Sequence, residues 1–247
     1  REVRAALAMA EGHGMVAVNV MKAVTEHAAL IRQACESGVQ AVVMGAGLPL
    51  DLPEMTEGYP DVALIPILSE SRGVGIVLKK WMRKNRLPDA IVIEHPRYAG
   101  GHLGSPNLQD VGNARFDFPG VLESIFQLFK ELGIERERIP LIPAGGINTH
   151  EKIRELLALG ASAVQIGTPF AVTEEGDAHP NFKKVLAEAR GIPVPIFEIR
   201  QRSGKGVAEP IGVKHPGELY GRPEIPELKT DAWSVLAADV RDEIDAV

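Results

Sequence analysis

The sequence predicts an α/β protein, built of repeated βα units around a parallel sheet. Three observations lead there. Short apolar runs rich in β-branched residues alternate with amphipathic stretches every few tens of residues, the rhythm of strand and crossover helix. The runs are nearly all apolar, as strands covered on both faces should be. Glycines follow several of them where a strand would turn into a helix. A length of 247 residues allows one α/β barrel or two small domains.

Taken along the chain, the predicted strands are Met15 to Val20, Ala41 to Met44, Ala63 to Ile67, Ala90 to Glu94, Ile139 to Pro143 and Ala163 to Ile166. The predicted helices are Thr25 to Glu36, Arg72 to Arg83, Pro119 to Leu132, Thr149 to Leu159 and Asn181 to Arg190. In the first of these a threonine start precedes the apolar stripe Ala28, Leu30, Ile31, Ala34, Cys35, and Gly38 follows the stop, so cap and pattern agree. Asn148 and Thr149 start a later helix and Gly160 ends it. Beyond Gly191 six prolines, Pro193, Pro195, Pro210, Pro216, Pro223 and Pro226, punctuate a segment with one amphipathic helix, Ala232 to Ile244. The domain reading is therefore a partial βα barrel over residues 1–190 and an extension over 191–247 packed on it. Six strands fit an open doubly wound sheet, whereas a closed βα barrel needs eight.

Charge and composition exclude several functions. With 27 Lys+Arg against 33 Asp+Glu the formal net charge is −6, so no basic footprint for nucleic acid or an acidic membrane is present. No apolar run approaches the ~18 residues of a membrane span, and the charged start Arg1-Glu2-Val3-Arg4 does not resemble a signal peptide. The single cysteine, Cys35, has no partner for an internal disulfide and reads as a small buried apolar residue. A reducing cytoplasm is the expected compartment. No His, Cys or carboxylate spacing suits a metal, and neither a Gly-x-Ser-x-Gly elbow nor a lysine-bearing phosphate loop occurs. His13, His27, His150, His179 and His215 read as solvated or structural, and Lys79, Lys80, Arg83 and Lys84 as the solvated end of a helix.

The chemistry-bearing motifs lie at predicted strand ends. Ile142-Pro143 runs into Ala144-Gly145-Gly146-Ile147, and nineteen residues after Gly146 comes Gln165-Ile166-Gly167-Thr168. Glycine at a strand's C-terminal end lets backbone approach a ligand, and the next helix offers its free N–H groups there. Two adjacent units of this kind make a phosphate cradle, placed where barrels commonly hold one; the alternative is a pair of tight βα turns. Tyr98-Ala99-Gly100-Gly101-His102-Leu103-Gly104 follows the run ending at Glu94. Its glycines leave the His102 imidazole unshielded, suited to general acid–base work, or simply bonded to backbone. Asn19 faces either a neighbouring backbone or the polar edge of a ligand. The small residues of Gly45-Ala46-Gly47-Leu48-Pro49 admit a flat ring.

These motifs resemble the nitronate monooxygenase family, formerly called 2-nitropropane dioxygenases, which are FMN-dependent (β/α)8 barrels of the TIM type. The resemblance runs from about residue 1 to about 190. It rests on Val18-Asn19-Val20-Met21, Gly45 to Pro49, Ala99-Gly100-Gly101-His102, Ala144-Gly145-Gly146-Ile147 and Gln165-Ile166-Gly167-Thr168 in family order. It implies that Asn19 contacts the flavin, that Gly100 and Gly101 line its ring, and that Gly145 and Gly146, with Gln165, Ile166, Gly167 and Thr168, hold the FMN phosphate. His102 matches the family's catalytic histidine. The implied reaction oxidises an alkyl nitronate or nitroalkane with dioxygen to a carbonyl compound and nitrite, with no metal. Many members carry a glutamine that touches flavin, and here Glu94 or His95 stands near its slot. Two opening βα units of the family have no counterpart, which places Arg1 just before the third barrel strand and accounts for the count of six. Two other functions fit the same residues: a flavin-dependent NAD(P)H enoyl-thioester reductase, which shares the glycine-glycine-histidine loop, and a non-catalytic barrel that binds a phosphate ligand or nothing.

Overall fold

Five parallel strands, hydrogen-bonded in the order in which they occur in the chain, form the centre of the structure. The computed structural model describes residues 1–98, 110–176 and 178–188. They fall into two compact units, Arg1–Ile166 and the residues from Gly167 onward. The domain boundary expected at 190/191 lies outside the described residues.

The first unit runs α1 (Glu2–Ala10), β1 (Ala17–Met21), α2 (His27–Glu36), β2 (Ala41–Gly45), α3 (Leu52–Met55), β3 (Ala63–Leu68), α4 (Ser71–Met82), β4 (Ile91–Glu94), α5 (Phe118–Glu131), β5 (Leu141–Ala144) and α6 (His150–Ala158). The second unit contains α7 (Thr168–Ala171) and α8 (Pro180–Glu188), with the Lys183 ammonium donating to the carbonyls of Glu174 and Gly176.

Alternation along the strands sorts their side chains onto two faces. Val20, Val42, Met44, Leu64, Leu68, Ile91, Ile93 and Leu141 look one way, into a core completed by Ile31 and Cys35 of α2, Val74, Val77, Leu78 and Trp81 of α4, Val121, Leu122, Ile125 and Phe129 of α5, and Leu156 of α6. The helices thus cover one face. The other face carries Asn19, Val43, Ile65, Ile67, Val92, Glu94 and Ala144, the residues between those core positions. A doubly wound sheet would have helices on both faces and a reversal in strand order. Sequential order with helices on one side is instead the pattern of a TIM-type barrel, here an incomplete one with five strands among the described residues.

All five of these strands lie within two residues of their predicted ends, and so do the five predicted helices. Three details differ. The predicted strand Ala163 to Ile166 is reduced to a single parallel bridge between Ala144 and Gln165, with Gln165 N–H donating to Pro143 O at 2.8 Å. Helix α2 starts at His27 after Glu26, and Thr25 does not cap it. Helix α1, unforeseen in the sequence, has no buried residue of its own, although Val3 packs against the core. Thr149 caps α6 as expected, its hydroxyl accepting from Lys152 N–H at 3.2 Å.

Gly45, at the end of β2, faces Ile67 so closely that a Cβ there would lie 2.9 Å from the Ile67 Cβ. Neither atom can swing away, because both are fixed by backbone. Gly45→Val is expected to lower unfolding free energy by about 1–3 kcal/mol, the scale of an overpacked site, measurable as a reduced urea midpoint at unchanged slope. A midpoint equal to that of the parent would contradict this packing.

Candidate active site

The end of β4 carries Glu94 on the face that no helix of the first unit covers among the described residues, called here the helix-free face. Four of the site residues expected from the sequence meet at β5 and the chain beyond it. Gly145 and Gly146 follow the last residue of β5 directly, both with positive φ, +101° and +69°, a conformation that favours glycine. The bridge from Ala144 to Gln165 sets Gln165 and Ile166 beside them. The amide N–H groups of Gly145 and Gly146 donate to no carbonyl among the described residues. This leaves two unspent donors at a strand end. Such a pair seeks an acceptor, and an anion is the strongest one.

The other expected residues are placed as follows. Asn19 is the third of the five residues of β1, exposed on the helix-free face and in register with Val43. It stands on the opposite edge strand of the sheet from β5, so it shares a face with the glycine turn without being next to it. Gly167 and Thr168 begin the second unit, where Thr168 opens α7. Gly100, Gly101 and His102 lie outside the described residues.

The loop after β2 is held rigidly. Ala46 has φ +55° and Gly47 φ +130°. The Lys22 N–H donates to Gly45 O at 2.8 Å, and its ammonium pairs with Asp51. Burial works against ionisation of Asp51, but the hydrogen bond from Lys22, a backbone N–H and the charges of Lys22 and His27 together hold its carboxyl below the ordinary range. Fully buried Trp81 donates from Nε1 to Pro49 O at 3.0 Å, and Lys84 reaches Leu50 O at 3.3 Å and the Glu54 carboxylate. Small residues at this strand end are therefore presented on a fixed backbone.

Two groups at the end of β4 were marked by the sequence only as neighbours of a glutamine slot. Glu94 is in register with Ala144 and shares the helix-free face with Val92. Burial holds its carboxyl above the ordinary carboxylate range, because an ionised group is costly where water is scarce. The signal in the sequence was a lone charge closing an otherwise apolar run, Ile91-Val92-Ile93-Glu94. His95 is buried at 7% exposure. Its Nδ1 accepts from the Arg97 N–H at 3.2 Å, which leaves the ring proton on Nε2, 3.5 Å from Asp117 Oδ1. Burial pushes the imidazole pKa down, against the upward pull of Asp117 and with help from Arg97.

Of the other residues singled out in the sequence, His215 lies outside the described residues, and Lys84 is half-buried and ion-paired instead of solvated. Cys35 is free and buried, His13, His150 and His179 are exposed, and His27 Nδ1 lies 2.7 Å from Val24 O. No group of three His, Cys, Asp or Glu suited to a metal occurs, and no helix is long and apolar enough to cross a membrane. A groove of about 560 Å³ lies between α4 and α5, lined by Ser71, Arg72, Lys79, Ser124 and Glu131. Both helices cover the other face of the sheet, so this groove is separate from the strand-end site.

The structure of FabK from Thermotoga maritima is similar at a TM-score of 0.55 and 25% identity, over 76% of this chain and 52% of that one. The enoyl reductase domain of MlnA from Bacillus amyloliquefaciens is similar in fold at a TM-score of 0.53 and 14% identity, over 76% of this chain and 49% of its own. A family model described as nitronate monooxygenase matches residues 5–207. The chain belongs to the nitronate monooxygenase family, a family of FMN-dependent oxidoreductases. Among curated relatives, a Bacillus subtilis (strain 168) protein named "Probable nitronate monooxygenase" is 35% identical over 99 residues, 40% of this chain and 26% of that protein. The nitronate monooxygenase of Pseudomonas aeruginosa is 42% identical over 73 residues, 29% of this chain and 21% of its own. The chain spans under half the length of these relatives.

The raised pKa of Glu94 has a stability consequence. A carboxyl whose folded value lies above its unfolded value adds stability that is complete below the unfolded pKa and is lost as pH rises through the folded one. Glu94→Gln is therefore expected to gain thermal stability over the parent at pH 8 and to show less or no gain at pH 4. Equal gains at both pH values in thermal melts would show that burial does not act on this carboxyl.

Proposed function

We propose that the chain is the FMN-binding barrel portion of a nitronate monooxygenase, oxidising alkyl nitronates or nitroalkanes with dioxygen to carbonyl compounds and nitrite. One observation carries the reading: the amide N–H groups of Gly145 and Gly146, at the C-terminal edge of the sheet, have no carbonyl partner among the described residues, in a chain that matches the family model from residue 5 to residue 207.

The residues present fit the cofactor. An FMN molecule offers a phosphate, which suits free N–H donors, and a flat ring, which suits an apolar surface interrupted by few polar groups. Gly145 and Gly146, with Gln165 and Ile166 beside them, would hold the phosphate. The partly exposed Val43, Ile65 and Ile67 would supply the apolar surface, and Asn19 an amide on the same face. When bound, FMN supplies the electron transfer, and the protein supplies binding, orientation and electrostatics. His102 is assigned the catalytic acid or base on the family resemblance. The small-molecule substrate and dioxygen are the partners of this reading.

A second reading has a specific observation behind it, the fold shared with the MlnA enoyl reductase domain: a flavin-dependent enoyl-thioester reductase that takes hydride from NAD(P)H. Anaerobic mixing separates the two. Bleaching of the flavin band by propionate 3-nitronate or a nitroalkane, and not by NADH or NADPH, is expected for the monooxygenase. Rapid bleaching by a nicotinamide would favour the reductase, and a protein that stays colourless after incubation with FMN would contradict both. His102→Ala is expected to lower turnover by about 10²-fold or more, the usual scale for a positioned acid or base, with flavin content little changed. Full activity in that variant would remove the assignment.

A further inference from the structure

The turn at the end of β4 and the glycine turn at the end of β5 are packed against each other. His95 N–H donates to Ala144 O at 3.0 Å, and Tyr98 N–H donates back to His95 O at 3.0 Å, closing the tight turn Pro96–Tyr98. A Cβ on Gly145 would lie 3.0 Å from the Tyr98 Cβ and 3.4 Å from His95 O. A Cβ on Gly146 would meet the Tyr98 ring at 3.0–3.2 Å. Tyr98 is thus the wall against which both glycines rest.

What holds that wall is the His95 side chain. Its ring stands 5.2 Å from the Tyr98 ring and 5.7 Å, edge to face, from Phe118. Asp117 is the residue before α5, the position from which an aspartate ordinarily caps the helix, yet it makes no capping hydrogen bond. Its Oδ1 stands instead 3.5 Å from His95 Nε2. The charged groups acting on His95 are Asp117, just before α5, and Arg97 from its own turn.

We propose that His95 and Asp117 are positioning residues for the phosphate of the cofactor, acting through Tyr98 to fix the Gly145–Gly146 turn with its two amide donors outward. This rests on the FMN reading above. The prediction is specific to the phosphate end: weakening the pair loosens the turn and leaves the surface beneath the flavin ring unchanged.

The test is the affinity of the purified full chain for FMN and for riboflavin, which lacks the phosphate, each followed by quenching of flavin fluorescence. The parent is expected to prefer FMN by about tenfold or more, equivalent to about one charge-assisted contact. Asp117→Ala, at a side chain 63% exposed, and Tyr98→Ala are each expected to reduce that preference about three- to tenfold with riboflavin affinity unchanged. His95→Gln, which keeps an N–H donor for Asp117, is expected to retain it, and His95→Phe to lose it. A preference unchanged in Asp117→Ala and His95→Phe would overturn the positioning role alone. So would a parallel loss of both ligands, since that marks a general structural defect. A parent that binds riboflavin as tightly as FMN, or binds neither, would overturn the phosphate reading together with this one.

Discussion

Packing every long helix after α1 in the first unit against one face of a sequentially ordered parallel sheet is the constraint on which the rest of the structure depends. Each strand between the two edges is paired on both sides, so its backbone is satisfied and its side chains divide between helix-covered and helix-free faces. The helix-covered face is a dense core around Trp81, Phe129, Ile31 and Met44. The other face is left with Asn19, Glu94 and a floor of aliphatic side chains. Parallel strands also bring all their C-terminal ends to one edge, which is where barrel enzymes keep their chemistry.

At that edge rigidity comes from different sources on the two sides of the sheet. After β2 the chain is pinned by a buried indole N–H and by lysines that reach its carbonyls and carboxylates. After β5 it is pinned by absence of side chains, because two glycines let Tyr98 and the His95 carbonyl close on the backbone. The two arrangements solve the same problem. A ligand with a flat ring and an anionic tail needs surface in one place and unspent donors in another, and both must stay where they are while it binds.

Much of this was legible in the residues. Runs such as Ala41-Val42-Val43-Met44 and Ile91-Val92-Ile93 could be buried strands and little else at that length, with helical stripes between them. Gly145 and Gly146 announced a close approach of backbone, and the structure shows the positive φ that requires them. Less was legible where tertiary contacts decide. Ala163 to Ile166 has strand composition, but only Gln165 finds a ladder partner among the described residues, and pattern alone does not supply one. Helix α1 escaped notice because it has no buried stripe to give it a period. His95 and Asp117 are twenty-two positions apart, and nothing local in the sequence joins them.

Central to the FMN reading are the amides of Gly145 and Gly146, proposed as the donors that receive its phosphate. Amide-resolved NMR of the isotopically labelled chain, titrated with FMN and separately with riboflavin, addresses it without reference to turnover. Large shifts of the Gly145 and Gly146 amide signals are expected with FMN and small ones with riboflavin, while signals from Val43, Ile65 and Ile67 move with both. Glycine signals that stay in place while FMN binds would contradict the proposal.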